Sequence, residues 1–134
     1  MILDTHVAVW LAEGVSIRAG ARRRIEAAAA RGGLVLSAIS AWEIATLVRS
    51  GRLRVATTTE SYVRDLFALR GVREAPVTAE IARRAGELSD VFHGDPADRI
   101  IVATASVLGV PLATRDDRIV TFAKTVGGLA CVTA

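Results

Sequence analysis

The sequence predicts an α/β fold, a three-layer α/β/α sandwich around a central, mostly parallel sheet. Short apolar runs of strand length alternate along the chain with segments whose apolar residues recur at helical spacing. The segments between successive strands are long enough to hold helices, as parallel pairing with right-handed crossovers requires. Acidic residues follow two of the apolar runs, at the sheet edge where open α/β proteins collect their functional groups.

Taken in order, Ile2-Leu3 opens as a strand and His6 to Ala12 follows as a short helix. Arg18 to Ala30, rich in Ala and Arg, reads as a longer helix that stops at Gly32-Gly33, before a second strand at Leu34-Val35-Leu36. Ile39 to Arg49 carries apolar residues at helical spacing and ends near Gly51; Glu60 to Leu69 is the next helix. Val72 to Ala75 reads as a strand and Thr78 to Leu88 as a helix. Pro96 to Leu108 is a helix, with proline at its first position. Pro111 to Thr114 is a strand, Asp117 to Lys124 a short helix, and Leu129 to Val132 the last strand. No repeat, linker or low-complexity tract interrupts this alternation, so residues 1–134 form one domain.

Composition narrows the function. Apolar residues make up 51% and charged residues 23%, which excludes disorder, and no apolar run approaches the roughly 20 residues that cross a bilayer. Met1 leads straight into a strand without a secretion-signal pattern, and the single Cys131 allows no internal disulfide; both point to the cytoplasm. The net charge is +3, carried by arginines with Lys124 as the sole lysine, a mild indication of a polyanionic partner. One cysteine and two histidines exclude a Cys/His metal cluster. No Gly-x-x-x-x-Gly-Lys, Gly-x-Gly-x-x-Gly or Gly-x-Ser-x-Gly motif occurs, so nucleotide-binding loops and a serine-hydrolase elbow find no support. A phosphoryl receiver would need a lysine at a strand end, and Lys124 falls in a late helix.

The chemistry rests on four acids. Taken singly, Asp4 and Asp116 read as helix N-caps after strands. Asp95 before Pro96 reads as a cap too, with Asp98 at the reciprocal position of a capping box. Asp98 shares a helical row with Ile101, Val102 and Ala105, and Glu43 flanks the apolar stripe between Ile39 and Leu47, so both point toward apolar surroundings. Pairing with an arginine, Arg99 or Arg115, is the plain structural explanation for each. Four such acids together are better explained by one pocket, whose mutual repulsion a divalent cation would neutralise.

Four segments carry a likeness over almost the whole chain: Met1-Ile-Leu-Asp-Thr-His, Ser40-Ala-Trp-Glu-Ile, the stretch from His93-Gly-Asp-Pro-Ala-Asp-Arg to Ala105, and Leu112-Ala-Thr-Arg-Asp. In this order and spacing they resemble PIN-domain proteins of the VapC toxin type. The resemblance implies that Asp4, Glu43, Asp98 and Asp116 bind Mg²⁺ or Mn²⁺. It puts Thr114, Thr5 and Ser40 in support, with Asp95 and Asp117 as further candidates. It also implies a metal-dependent endoribonuclease, a cognate antitoxin that restrains it, an RNA substrate and a homodimer. In that scheme a metal-activated water attacks the phosphodiester and leaves 5′-phosphate and 3′-hydroxyl ends. Neither histidine is needed; His6 and His93 read as packing or hydrogen-bonding residues, with His6 near the rim. Arg22-Arg23-Arg24 and the group of Arg49, Arg52 and Arg54 are the candidate RNA-attracting clusters. The competing expectation is a catalytically inactive PIN-like module that dimerises and docks a DNA-binding partner.

Overall fold

The computed structural model describes residues 1–89, 92 and 94–134. His93, expected to pack or to form hydrogen bonds, lies outside the described residues. Five strands and seven helices alternate: β1 (Ile2–Leu3), α1 (Thr5–Ala12), α2 (Ala19–Ala29), β2 (Leu34–Ser37), α3 (Ile39–Arg49), α4 (Thr59–Phe67), β3 (Val72–Ala75), α5 (Ala79–Glu87), α6 (Pro96–Leu108), β4 (Leu112–Thr114), α7 (Asp117–Val126) and β5 (Cys131–Thr133). None of these helices is long and apolar enough to cross a membrane.

All strand pairings are parallel, in the order β3-β2-β1-β4-β5. Strand periodicity sends alternate side chains to opposite faces, and two cores result. On one face Leu3, Leu34, Leu36, Ala113 and Val132 pack with apolar residues of α1 to α4, among them Val7, Ile25, Ile44 and Leu66. On the other, Ile2, Val35, Ala75 and Leu112 pack under α6 and α7 through Ile101, Val102, Ile119 and Phe122. Helix α5 adds an outer layer on α6 through Ile81, Ala85 and Ala103.

The chain leaves the central strand β1 toward β2 and β3, then returns to the other side of β1 for β4 and β5. Right-handed crossovers running in opposite directions put their helices on opposite faces, as seen here. They also leave a crevice between the carboxyl ends of β1 and β4, the topological switch point where α/β sheets bind ligands.

The elements differ from the sequence expectation only at their ends. Helix α1 starts at Thr5 because Asp4 caps it. The last strand starts at Cys131, since Gly127 and Gly128 both adopt positive φ and turn Leu129 into the core before the strand begins. Gly71, ahead of β3, has φ +84°, and its carbonyl accepts from Leu34 N–H at 3.0 Å. A Cβ there would collide with the Ala29 backbone at the end of α2. We expect Gly71→Ala to destabilise the domain by more than about 2 kcal/mol, the left-handed conformation adding about 1–2 kcal/mol to the collision. A shift of the urea midpoint too small for that loss would show the α2–β3 contact to be compliant.

Candidate active site: an acidic cleft at the switch point

A cleft of about 540 Å³ opens at the carboxyl end of the sheet, and Asp4, Glu43, Asp95, Asp98 and Asp116 all line it. Each arrives by a different local rule. Asp4 ends β1 and caps α1, its Oδ1 accepting from His6 N–H at 3.3 Å. Asp116 follows β4 and caps α7, its Oδ1 accepting from Arg118 N–H at 2.7 Å. Asp95 caps α6 and accepts from Asp98 N–H at 2.9 Å, which fixes the first turn from which Asp98 reaches inward. Glu43 is carried by α3, one residue before the fully buried Ile44.

Hydroxyl groups stitch the site together. Buried Thr114 donates to Asp4 Oδ2 at 2.5 Å and accepts from Asp116 N–H at 3.0 Å, tying the end of β1 to the turn after β4. Buried Thr5 donates to Ser40 at 2.8 Å, tying the start of α1 to α3 next to Glu43. Thr114, Thr5 and Ser40, expected in support, thus each make a hydrogen bond beside the cleft acids without lining the cleft themselves. Asp117 is not drawn in: it is exposed on the first turn of α7 and does not line the cleft.

The arginine partners differ from the expected ones. Arg99 donates to the carbonyl oxygens of Ala85, Gly86, Leu88 and Phe92, closing off the end of α5. Arg115 lies over the Trp10 ring, 5.3 Å from its centroid. The arginine that meets the acids is Arg118, which contacts Asp116 and reaches Asp98 Oδ2 at 3.5 Å. Its only signal in the sequence is a position two residues after a capping aspartate. Of the arginine clusters expected to face RNA, only Arg52 lines this cleft. Arg22 pairs with Glu26, and Arg24 faces a separate groove with Arg31 and Arg73 at the amino end of the sheet. Trp10 and Trp42 also line the cleft, apolar rings that no charge pattern in the sequence signals.

Electrostatics sets the acids apart. Burial, then the charges of Asp95, Asp4, Asp116 and Glu43, push Asp98 up to about 7. Burial also raises Glu43, with the nearby Thr5 hydroxyl pulling the other way. The Arg118 guanidinium holds Asp116 below the usual carboxylate range. His6, on the rim with Nδ1 3.9 Å from Asp4 Oδ1, is raised chiefly by that carboxylate. Among the described residues, Glu43 Oε2 is buried with no hydrogen-bond partner. Hard oxygen donors, an orphaned buried carboxylate oxygen and a crowded acid together fit a divalent cation of the magnesium or manganese kind. Among the described residues, however, no three acidic, histidine or cysteine side chains are gathered as a ready ligand set, and Arg118 stands between two of the acids.

A parallel sheet with conjoined acids at its switch point defines a class: residues 1–125 match the family model of the PIN domain. Ribonuclease VapC22 of Mycobacterium tuberculosis is 38% identical over 120 residues, 89% of this chain and 88% of that protein. The chain thus belongs to the PIN-domain family, in its VapC toxin branch. Two crystal structures share its fold over 98% of this chain and 96% of theirs. VapBC2 from Rickettsia felis, bound to a DNA fragment from its promoter, has a TM-score of 0.68 at 17% identity. FitAcB from Neisseria gonorrhoeae has a TM-score of 0.65 at 18% identity.

The site also makes stability depend on pH. Because the folded state raises Asp98 from 3.8 to about 7, its contribution is complete below about pH 4 and is lost as pH rises through 7. In EDTA, Asp98→Asn is therefore expected to raise the melting temperature by a few degrees at pH 8 and by clearly less at pH 5. Equal shifts at both pH values would mean that the Asp98 carboxyl ionises freely in the folded protein.

Proposed function

We propose that this protein is the toxin of a toxin–antitoxin pair, a divalent-metal-dependent endoribonuclease that hydrolyses RNA phosphodiester bonds. The observation that carries the reading is the convergence of Asp4, Glu43, Asp98 and Asp116 on one cleft in a PIN domain. The name of the Mycobacterium tuberculosis relative supplies the activity. The presence of all four acids, with Glu43 Oε2 left without a partner among the described residues, favours an enzyme over an inactive docking module.

Those four acids would hold Mg²⁺ or Mn²⁺, which when bound neutralises phosphate charge and acidifies a water to serve as nucleophile. Thr114 keeps Asp4 aimed at the cleft, and the Thr5–Ser40 bond fixes α1 against α3 so that Glu43 faces the same space. Asp95, by holding the Asp98 N–H, orients Asp98 without itself entering the chemistry. The acids repel RNA, and Arg52, Arg115 and Arg118 around them supply the opposite charge. Trp42, 56% exposed on the cleft wall, offers a ring face on which an unpaired base stacks.

An antitoxin partner accords with the solved relatives, one of which is a toxin-antitoxin complex from Klebsiella pneumoniae. The proposed assembly is a homodimer, for which the depression between α5 and α6, lined by Ala82, Ala85, Pro96, Arg99 and Ile100, is one open face. Work in the reducing cytosol suits the free Cys131 thiol.

Antitoxin-free protein with Mg²⁺ or Mn²⁺ should cut a mixed tRNA and rRNA pool into discrete fragments with 5′-phosphate ends. EDTA should abolish the cutting, and Asp4→Asn or Asp98→Asn should slow it about 100-fold or more. Cleavage that persists in both variants would sink the proposal. Trp42→Ala should weaken binding of single-stranded RNA by about 1–3 kcal/mol, measured in EDTA, and leave metal binding unchanged.

A further inference from the structure

Arg118 is held in an unexpected way for an arginine on the surface. Its side chain is 59% exposed, yet its guanidinium folds back onto the two acids of the cleft. Nε lies 3.1 Å from each oxygen of Asp116, and Nη2 lies 2.6 Å from Asp116 Oδ2 and 3.5 Å from Asp98 Oδ2. Among the described residues these two carboxylates are its only side-chain partners. The backbone N–H of Arg118 is separately anchored to Asp116 Oδ1, so the side chain can leave without disturbing the helix start.

The oxygens that bind this guanidinium are those that would ligate the metal. A carboxylate in fork-like contact with arginine has its lone pairs committed. A dication at about 2.0–2.1 Å from such an oxygen would also meet an arginine charge next to it. Metal and guanidinium therefore compete for Asp98 and Asp116. Once displaced, Arg118 stays tethered at the cleft mouth with its planar fork of donors free, a shape matched to the oxygens of a phosphate. Arg115, by contrast, is already engaged over Trp10.

We propose that Arg118 exchanges partners during function, balancing Asp98 and Asp116 in the metal-free protein and, once the ion has taken those oxygens, binding the scissile phosphate of the RNA. This rests on the metal-dependent ribonuclease reading above. It gives the residue two opposed effects, since its removal should help the metal and harm the reaction. An arginine that merely braces the α7 start would lower both together.

The test is calorimetric titration of Mn²⁺ into RNA-free, antitoxin-free protein, paired with single-turnover RNA cleavage at saturating Mn²⁺, for the unsubstituted chain, Arg118→Gln and Arg118→Lys. Arg118→Gln should bind Mn²⁺ about three- to fivefold more tightly, the worth of a partly exposed ion pair. It should cleave about 10- to 100-fold more slowly. Arg118→Lys keeps the charge but not the fork and should fall between the two on both measures. Circular dichroism should be the same for all three. Mn²⁺ binding by Arg118→Gln that is equal to or weaker than that of the unsubstituted chain overturns the competition, and unchanged cleavage overturns the transfer to phosphate. No Mn²⁺ uptake by the unsubstituted chain would remove the metal reading itself, an outcome distinct from failure at Arg118 alone.

Discussion

Four carboxylates crowded at the end of a parallel sheet repel one another, and much of the local structure answers that repulsion. Two of them, Asp4 and Asp116, are steadied by backbone N–H groups at helix starts, where the helix dipole favours negative charge. Thr114 places one hydroxyl between them, donating to the first and accepting from the backbone of the second. Asp98 and Glu43 have less help and are correspondingly harder to ionise. A site in which Asp116 is held charged by Arg118 while burial and neighbouring charge make Asp98 and Glu43 harder to ionise is poised to take up a cation, because binding releases the stored repulsion.

The fold supplies this geometry through topology. Reversal of strand order about β1 opens the crevice, and the two-sided core, with Ile2 and Leu3 facing opposite helical layers, keeps that central strand from shifting. Strands of only two to four residues suffice because both faces are covered and every side chain of β1, β2 and β4 is buried.

Much of this was legible in the sequence because the signals are local. Apolar runs marked the strands, Asp95-Pro96 marked the α6 start, and the acids after Leu3 and Thr114 marked the functional edge. The partners were less legible. Arg99 and Arg115 are near the acids in the chain, yet one reaches back to the carbonyls at the end of α5 and the other onto Trp10. Arg118 carries no sequence signal of its role, since nothing in a linear pattern tells whether a long side chain points to water or folds over the cap. Arg22 and Arg24 show the reverse, members of an evident charge run of which one pairs with Glu26 and the other lines a groove at the amino end of the sheet, away from the cleft. Asp117, one residue from a cleft acid, faces solvent because neighbouring residues on a helix point about 100° apart.

The bond from Thr114 to Asp4 spans 110 residues of a 134-residue chain. The acidic site is thus closed only when β4, near the end of the chain, docks beside β1, at its beginning. A ribosome-bound fragment that has already exposed Asp4 and Glu43 lacks Asp116 and the hydroxyl that aims Asp4. Completion of the acidic site is thereby tied to the docking of the last crossover, so no partial chain that stops short of β4 carries it.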